Sequence, residues 1–323
     1  RPFFERKLIE NINNSVRGLG LGDHPVKKLY GRLFLEATSF DKEKKPSEGN
    51  NPGLITPPSK SWRSGATQGW GNSEGSKKIH SKLACTFGIA NFSPAWLVNR
   101  DIDKLKKLAW QKIEKRPPFE TFRIRASRAD KNFPMTSREI EFQVGGYVKE
   151  KSGAEVNLEK ADLSCYIEML SKKALFYFEK KEGPGGLPVT TSGTVLTLLS
   201  GGIDSPLAAW YAAKRGAKNV FVHFHSYPQT DKASQENVRD LARELSRWQV
   251  ESTLYMVPLL DIQKEIVAEC SKELRVILYR RMMIRIAEKI AEEENAKALV
   301  TGDSLGQVAS QTLENINVIN RVA

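Results

Sequence analysis

The chain is 323 residues long and 40% hydrophobic, with 50 Lys and Arg against 38 Asp and Glu, a net charge of +12. That length has room for about two or three domains, and six Trp with fourteen Phe supply real cores. No apolar run is long enough to span a bilayer and no secretory leader is present, which predicts a soluble, cytoplasmic protein that does not engage a membrane. Cys85, Cys165 and Cys270 are scattered without paired spacing, which argues against a disulfide framework or a self-contained zinc site.

The charge is segregated. Residues 1–99 carry 15 basic against 8 acidic side chains, residues 100–182 carry 19 against 14, and residues 183–323 carry 16 of each. A basic front half joined to a neutral back half fits a polyanion-binding part attached to a catalytic part.

In chain order, Phe3 to Val16 sets Phe4, Leu8, Ile12 and Val16 on one helical face, and Lys28 to Glu36 alternates like a half-buried strand. This fits an α+β unit whose opening strand is expected before Arg1, so the chain is expected to be a fragment. From Pro46 to Ser76, 19 of 31 residues are Gly, Pro, Ser or Asn, which predicts a flexible insertion over about 41–79. Trp62 and Trp70 lie within it and are assigned no role. Order returns at Leu83 to Val98. Asp101 to Lys115 is a lysine-rich helix ended by Pro117-Pro118, and Thr121 to Arg128 is a strand with Phe122, Ile124 and Ala126 on one face. Arg123, Arg125 and Arg128 crowd its other side and end. Ser137 to Lys149 is predicted helical, Asp162 to Leu170 and Ala174 to Glu179 are strands, and Gly183 to Gly186 is a linker.

The stretch that organises the rest is Thr194 to Trp210, TVLTLLSGGIDSPLAAW. A buried apolar strand stops at Ser200-Gly201-Gly202-Ile203-Asp204-Ser205. Pro206 is predicted to open a helix running over Leu207 to Arg215. Two glycines let the backbone close on a ligand, the helix start adds its dipole, and Ser200 and Ser205 add hydroxyls, which together make a phosphate cradle. A Walker loop would need a lysine after its last glycine, and there is none between Thr194 and Ala213. SGGIDS instead resembles the PP-loop of ATP pyrophosphatases, which release pyrophosphate from ATP.

Strands and helices alternate beyond the loop. Asn219 to His225, Thr253 to Val257 and Ala298 to Thr301 are predicted strands. Ser234 to Trp248, Ile262 to Ala268, Leu274 to Glu293 and the chain from Leu305 onward are predicted helices. That is the pattern of a doubly wound parallel sheet, which binds ligands at strand carboxyl ends. His223-Phe224-His225, Val257-Pro258 and Thr301-Gly302-Asp303 are therefore candidate adenine and ribose contacts. Cys270, placed near a helix start, is either a reactive or a plain structural thiol, and Cys165 is expected in the core.

Three blocks together resemble the tRNA 4-thiouridine synthases, or tRNA sulfurtransferases, a family also linked to thiamine thiazole sulfur. They are FRIRASRADKNFPMTSREI at Phe122–Ile140, LLSGGIDSPLAAW at Leu198–Trp210, and YRRMMIRIAEKIA with ALVTGDSLGQVASQTLEN within Tyr279–Asn315. The resemblance implies a mixed α/β and α+β multidomain chain. Its parts would be a ferredoxin-like domain over 1–95, a THUMP RNA-binding domain over 96–182, and a doubly wound, HUP-like PP-loop domain over 183–323 that is incomplete at its C-terminal end.

It further implies ATP contacts at Leu198, Leu199, Ser200, Gly201, Gly202, Asp204, Ser205, His223, Phe224, Arg280, Gly302 and Gln311, with Asp204 and Ser205 catalytic. Mg2+ would neutralise phosphate charge, and Arg123, Arg125, Arg128 and Lys131 would meet tRNA. The implied reaction adenylates uridine O4, releases pyrophosphate, and lets sulfur displace AMP at C4. The sulfur would come from a cysteine desulfurase or another persulfide donor, the family's sulfur-handling cysteine is expected past Ala323, and the chain could work as a homodimer. On the residues alone, Leu198 and Leu199 also read as core leucines, His223 as a satisfied strand histidine, Arg280 as an ion-pair partner and Gln311 as a surface amide. A PP-loop ligase or amidotransferase acting on a small substrate, and a tRNA-binding module without turnover, stay open as alternatives.

Overall fold

The computed structural model describes residues 2–21, 25–29, 32–35, 53–54, 74–307 and 311–321. Most of the predicted insertion, with both of its tryptophans, lies outside the described residues. Two compact units emerge. The first comprises residues 1–84 and 89–184, and the second comprises 85–88 and 185–323.

The first unit opens with α1 (Pro2–Ser15), β1 (Val26–Leu29), β2 (Arg32–Leu35), β3 (Gly53–Leu54), α2 (Glu74–Ala84) and β4 (Asn91–Phe92). It continues with β5 (Pro94–Asn99), α3 (Ile102–Ile113), β6 (Thr121–Arg128), α4 (Ser137–Ser152) and β7 (Glu155–Val156). It closes with β8 (Leu163–Met169), β9 (Lys173–Tyr177) and β10 (Lys181–Glu182). Six strands form a mixed sheet in the order β3-β5-β9-β8-β6-β7. β6 and β8 run parallel, joined through α4, and the β8–β9 and β9–β5 pairs are antiparallel.

Local chemistry sets the helix ends. Asp101 caps α3 by accepting from the Lys104 amide at 2.9 Å, and Thr136 and Glu139 form a reciprocal capping box on α4. α4 stops at Gly153, whose φ of 73° suits a residue without a β-carbon. Phe122 and Ile124 of β6, Ile140, Val144 and Val148 of α4, and Leu105 and Ile113 of α3 close one core. Cys165 lies in the same core as expected, and burial pushes its thiol up to about 12.

Two sequence expectations change here. Lys28–Glu36 is not one strand: β1 and β2 pair antiparallel, with Val26 opposite Leu35. Alternation alone does not distinguish one strand from two that pair antiparallel. The stretch from Glu74 to about 79, expected to belong to the insertion, is instead the start of α2. Its buried Ile79 and Leu83, four residues apart, form a helical stripe that the polar composition of the preceding residues hides.

The second unit contains β11 (Thr194–Leu198), α5 (Asp204–Lys214), β12 (Lys218–His225), α6 (Lys232–Ser246) and β13 (Leu254–Pro258). α7 (Leu260–Glu269), α8 (Arg275–Glu293), β14 (Leu299–Val300) and α9 (Leu313–Asn320) follow. The sheet is wholly parallel in the order β13-β12-β11-β14. Both faces are covered. Val220 and Val222 pack with Ala287, Ile290 and Ala291 of α8 on one side, while Phe221 packs with Ala209 of α5 and Val238 of α6 on the other. Phe87, from the short upstream segment that belongs to this unit, stacks on Trp248 at 5.0 Å between centroids.

Two helix starts differ from expectation. α5 begins at Asp204 rather than after Pro206, so the proline occupies the first turn, where a missing N–H costs nothing. The helix expected from Leu305 starts at Leu313; residues 305–306 form a turn, and 308–310 lie outside the described residues. Cys270 closes α7 and lies four residues before Leu274, the N-cap of α8, so it is near a helix start as expected. Among the described residues no helix is long and apolar enough to cross a membrane.

Candidate active site

The chain lays β12 and β13 to one side of β11 and β14 to the other, so the strand order reverses at β11. A crevice opens where neighbouring connections leave in opposite directions, outside the carboxyl ends of β11 and β14. The SGGIDS loop leaves β11 there, and Thr301-Gly302-Asp303 leaves β14.

The loop is built on its serines. Ser205, almost fully buried, accepts from the Ser200 amide at 2.9 Å, and the two hydroxyl oxygens lie 3.0 Å apart. The Gly202 amide donates to the Ser200 hydroxyl at 3.3 Å. Asn237 of α6 donates to the Gly201 carbonyl at 3.2 Å. A β-carbon on Gly201 would lie 3.0 Å from that amide nitrogen. Serine hydroxyls thus hold the turn, leaving Ser200 to Gly202 on the surface at the N-terminus of α5. Amide donors and a positive dipole end suit an anion there.

A cleft of about 290 Å³ spreads from this loop. Leu198, Ser200, Asp204 and Ser205 form one side, and Thr301, Gly302, Asp303 and Gln311 another. Arg280, Met283 and Ile284, at helical spacing on α8, close it with Ile319 and Asn320 of α9. Gly302 is required by space: a β-carbon there would stand 2.8 Å or less from three backbone atoms of Asp204 and Ser205. Arg280 is ion-paired with Asp303, which also accepts from Gln311 Nε2 at 3.1 Å. Burial raises the pKa of Asp303, but hydrogen bonds from Gln311 and Thr301 and the charge of Arg280 outweigh it and hold the carboxyl below its usual range.

Of the residues singled out in the sequence, Leu198, Ser200, Asp204, Ser205, Arg280, Gly302 and Gln311 come together in this cleft. Gly201 and Gly202 belong to the loop beside it. Leu199 is a buried core residue whose amide donates to the Val222 carbonyl at 2.8 Å. Phe224 packs on the α8 side of the sheet.

His223 is buried on β12, its Nδ1 2.9 Å from the Leu199 carbonyl, so Nδ1 carries the hydrogen. Burial lowers its pKa, which keeps the ring neutral. Its contact fixes the strand end from which the loop leaves. Asn237, Met283, Ile284 and the particular role of Asp303 were not legible in the sequence. The position of Asp303 directly after a strand-end glycine is the signal that marked its neighbourhood.

In the first unit the β6 arginines hold loops. Arg123 donates to the Ser164 hydroxyl at 2.8 Å and to the Glu159 carbonyl at 3.0 Å, and Arg125 donates to the Leu158 carbonyl at 3.0 Å. Arg128 reaches the carbonyls of Lys131, Phe133 and Met135. Each guanidinium carries five donors, so these bonds leave capacity for phosphate. Lys131 is exposed.

The family model described as ThiI, thiamine biosynthesis protein, matches residues 190–323, and the THUMP domain model matches residues 100–179. A probable tRNA sulfurtransferase of Thermus thermophilus is 40% identical over 326 residues, spanning 100% of this chain and 70% of that protein. Its counterpart in Brevibacillus brevis is 42% identical over 324 residues, spanning 100% and 72%.

The chain belongs to the tRNA sulfurtransferase family.

Among solved structures, a 4-thiouridine synthetase crystallised with RNA and bound ATP matches with a TM-score of 0.78 at 34% identity, over 100% of this chain and 74% of that one. The sulfurtransferase fold is shared as well by PH1313 from Pyrococcus horikoshii, with a TM-score of 0.66 at 24% identity, over 98% and 87%. Membership of the sulfurtransferase family bears out the resemblance carried by the three sequence blocks.

Proposed function

We propose that the protein is an ATP-dependent tRNA sulfurtransferase that converts a uridine of tRNA to 4-thiouridine, using the cleft at β11 and β14 for ATP. The observation that carries this reading is the placement of SGGIDS at the strand-order reversal, beside a cleft whose facing wall packs through Gly302 directly on the start of α5. The polar groups fit a nucleotide: loop amides and hydroxyls for phosphates, Arg280 for their charge, and the amide of Gln311 for a polar group. Asp204 would help hold a magnesium ion, which would neutralise phosphate charge.

In the first step uridine O4 attacks the α-phosphorus and pyrophosphate departs. Ser200 to Ser205 hold the phosphates, and Asp204 and Ser205 orient them at the helix start. The bound adenylate makes O4 a leaving group. A sulfur nucleophile, delivered as a persulfide by a partner such as a cysteine desulfurase, then attacks C4, the C4–O4 bond breaks and AMP leaves. A second thiol attacks the carrier sulfur, the S–S bond breaks, and the outer sulfur stays on C4 as 4-thiouridine while the two thiols end as a disulfide.

The basic front half would grip the RNA backbone, with Arg123, Arg125, Arg128 and Lys131 on β6 and its following loop. In this reading residues 1–95 form a ferredoxin-like domain, 96–182 the THUMP domain and 183–323 the catalytic domain. Mass spectrometry of nucleosides from tRNA incubated with the protein, ATP, magnesium and a persulfide donor tests the assignment. The expected result is 4-thiouridine that depends on ATP. Unmodified uridine, alongside an ATP site that works on a small carboxylate, would overturn it.

A further inference from the structure

The wall of the cleft facing the loop carries a carboxylate with three partners, Arg280, Gln311 and Thr301, and no task so far. Asp303 Oδ1 accepts from the Arg280 guanidinium and from Gln311 Nε2. Gln311 is only 9% exposed, lines the cleft, and its Oε1 is buried with no hydrogen-bond partner among the described residues.

The two ends of a glutamine amide are chemically opposite. Nε2 only donates and Oε1 only accepts, and an ionised carboxylate can only accept. Asp303 therefore fixes which way the amide of Gln311 faces: Nε2 is held by the carboxylate, and Oε1 is left as an unsatisfied acceptor. A buried acceptor without a partner is costly, and a ligand donor that reaches it recovers that cost on binding. The same carboxylate is ion-paired with Arg280, a cation on α8.

We propose that Asp303 is a positioning residue for the nucleotide, setting Gln311 Oε1 as the acceptor for an N–H or O–H of the ligand while it holds Arg280 on the same wall. This role rests on the assignment of the cleft to ATP. The donors available on that ligand are the exocyclic amine of adenine and the ribose hydroxyls.

The test is calorimetric ATP binding without tRNA, by wild type, D303A, D303N, Q311A and the double variant D303A/Q311A, with thermal midpoints measured in the absence of nucleotide. D303A is expected to weaken ATP binding about tenfold. D303N, which keeps an acceptor oxygen but loses the charge that anchors Arg280, is expected to fall between D303A and wild type. The double variant is expected to bind no more weakly than the weaker of D303A and Q311A. Three analogues serve as the second probe: purine riboside triphosphate, which lacks the amine, and 2′-deoxy and 3′-deoxy ATP. One of them is expected to lose affinity on wild type and to lose no more on D303A, a pattern that a merely structural carboxylate would not produce.

Wild-type affinity in folded D303A and D303N, multiplicative losses in the double variant, or three analogues that all bind like ATP would each overturn the role. Should D303A fail to fold, D303N and the analogues on wild type decide. A wild-type chain that binds no ATP removes the assignment of the cleft, and this role falls with it.

Discussion

Gly302 and Ser205 come from strand ends on different branches of the chain, yet a β-carbon on Gly302 would stand 2.4 Å from the Ser205 backbone nitrogen. The end of β14 is thus packed directly on the start of α5. G302A has to push the loop away, at a cost of about 1–3 kcal/mol by analogy with overpacked sites. We expect a lower thermal midpoint and ATP binding weakened by about tenfold or more, read by differential scanning fluorimetry and calorimetry.

Within the loop, Asp204 and Ser205 have separable roles. D204A leaves the serine bonds of the turn in place, so the fold and tRNA binding should survive while thiolation is lost. S205A removes the acceptor for the Ser200 amide, and leaving that group unsatisfied costs about 1–3 kcal/mol. It should lower the thermal midpoint together with ATP affinity. Thiolation by D204A at the normal rate would refute the loop assignment.

His223 gives the second unit a pH dependence with a definite sign. Its pKa in the folded chain lies below the ordinary 6.5, because burial disfavours the charged ring. The unfolded chain then binds a proton more readily, so stability is full above the unfolded value and declines as pH falls through it towards the folded pKa. His80 in the first unit is shifted the same way, chiefly by burial. Thermal midpoints should fall between about pH 7.5 and about pH 5.5. H223N, which can still donate to the Leu199 carbonyl, should lose less over that interval.

On the RNA side, exposure separates two kinds of basic residue. Lys131 is exposed, so K131A should weaken tRNA binding and reduce the salt slope by about 1 without moving the thermal midpoint. Arg123 ties β6 to Ser164 and Glu159, so R123A should weaken binding and lower stability together. Filter binding at several salt concentrations alongside thermal melts distinguishes them.

Much of this was legible in the sequence because local and global signals agreed. Apolar runs ending in turn residues gave β11 and β12, and the spacing of Ser200 to Ser205 gave the loop. The strand β6 was readable from Thr121 to Arg128 because alternation, β-branching and a buried partner helix all pointed the same way. What failed was local in another sense. The hairpin of β1 and β2 carries the alternation of a single strand, and α2 hides behind polar composition. Asp303 and Gln311 are eight positions apart in the sequence, and the meaning of their pairing comes from α8 on the far side of the cleft. No periodicity encodes such a contact. The arginines of β6 were placed correctly on their strand, but their bonds to loop carbonyls depend on how residues 131–135 and 158–159 fold back.

The central claim is that the cleft after Leu198 splits ATP between its α- and β-phosphates to activate RNA. ATP labelled at the α-phosphate, incubated with the protein, magnesium and tRNA but no sulfur donor, tests it most directly. The account predicts pyrophosphate release that requires tRNA, with the label carried as adenylate on the RNA and released as AMP once a persulfide donor is added. ADP and inorganic phosphate as products, or pyrophosphate release indifferent to tRNA, would contradict it.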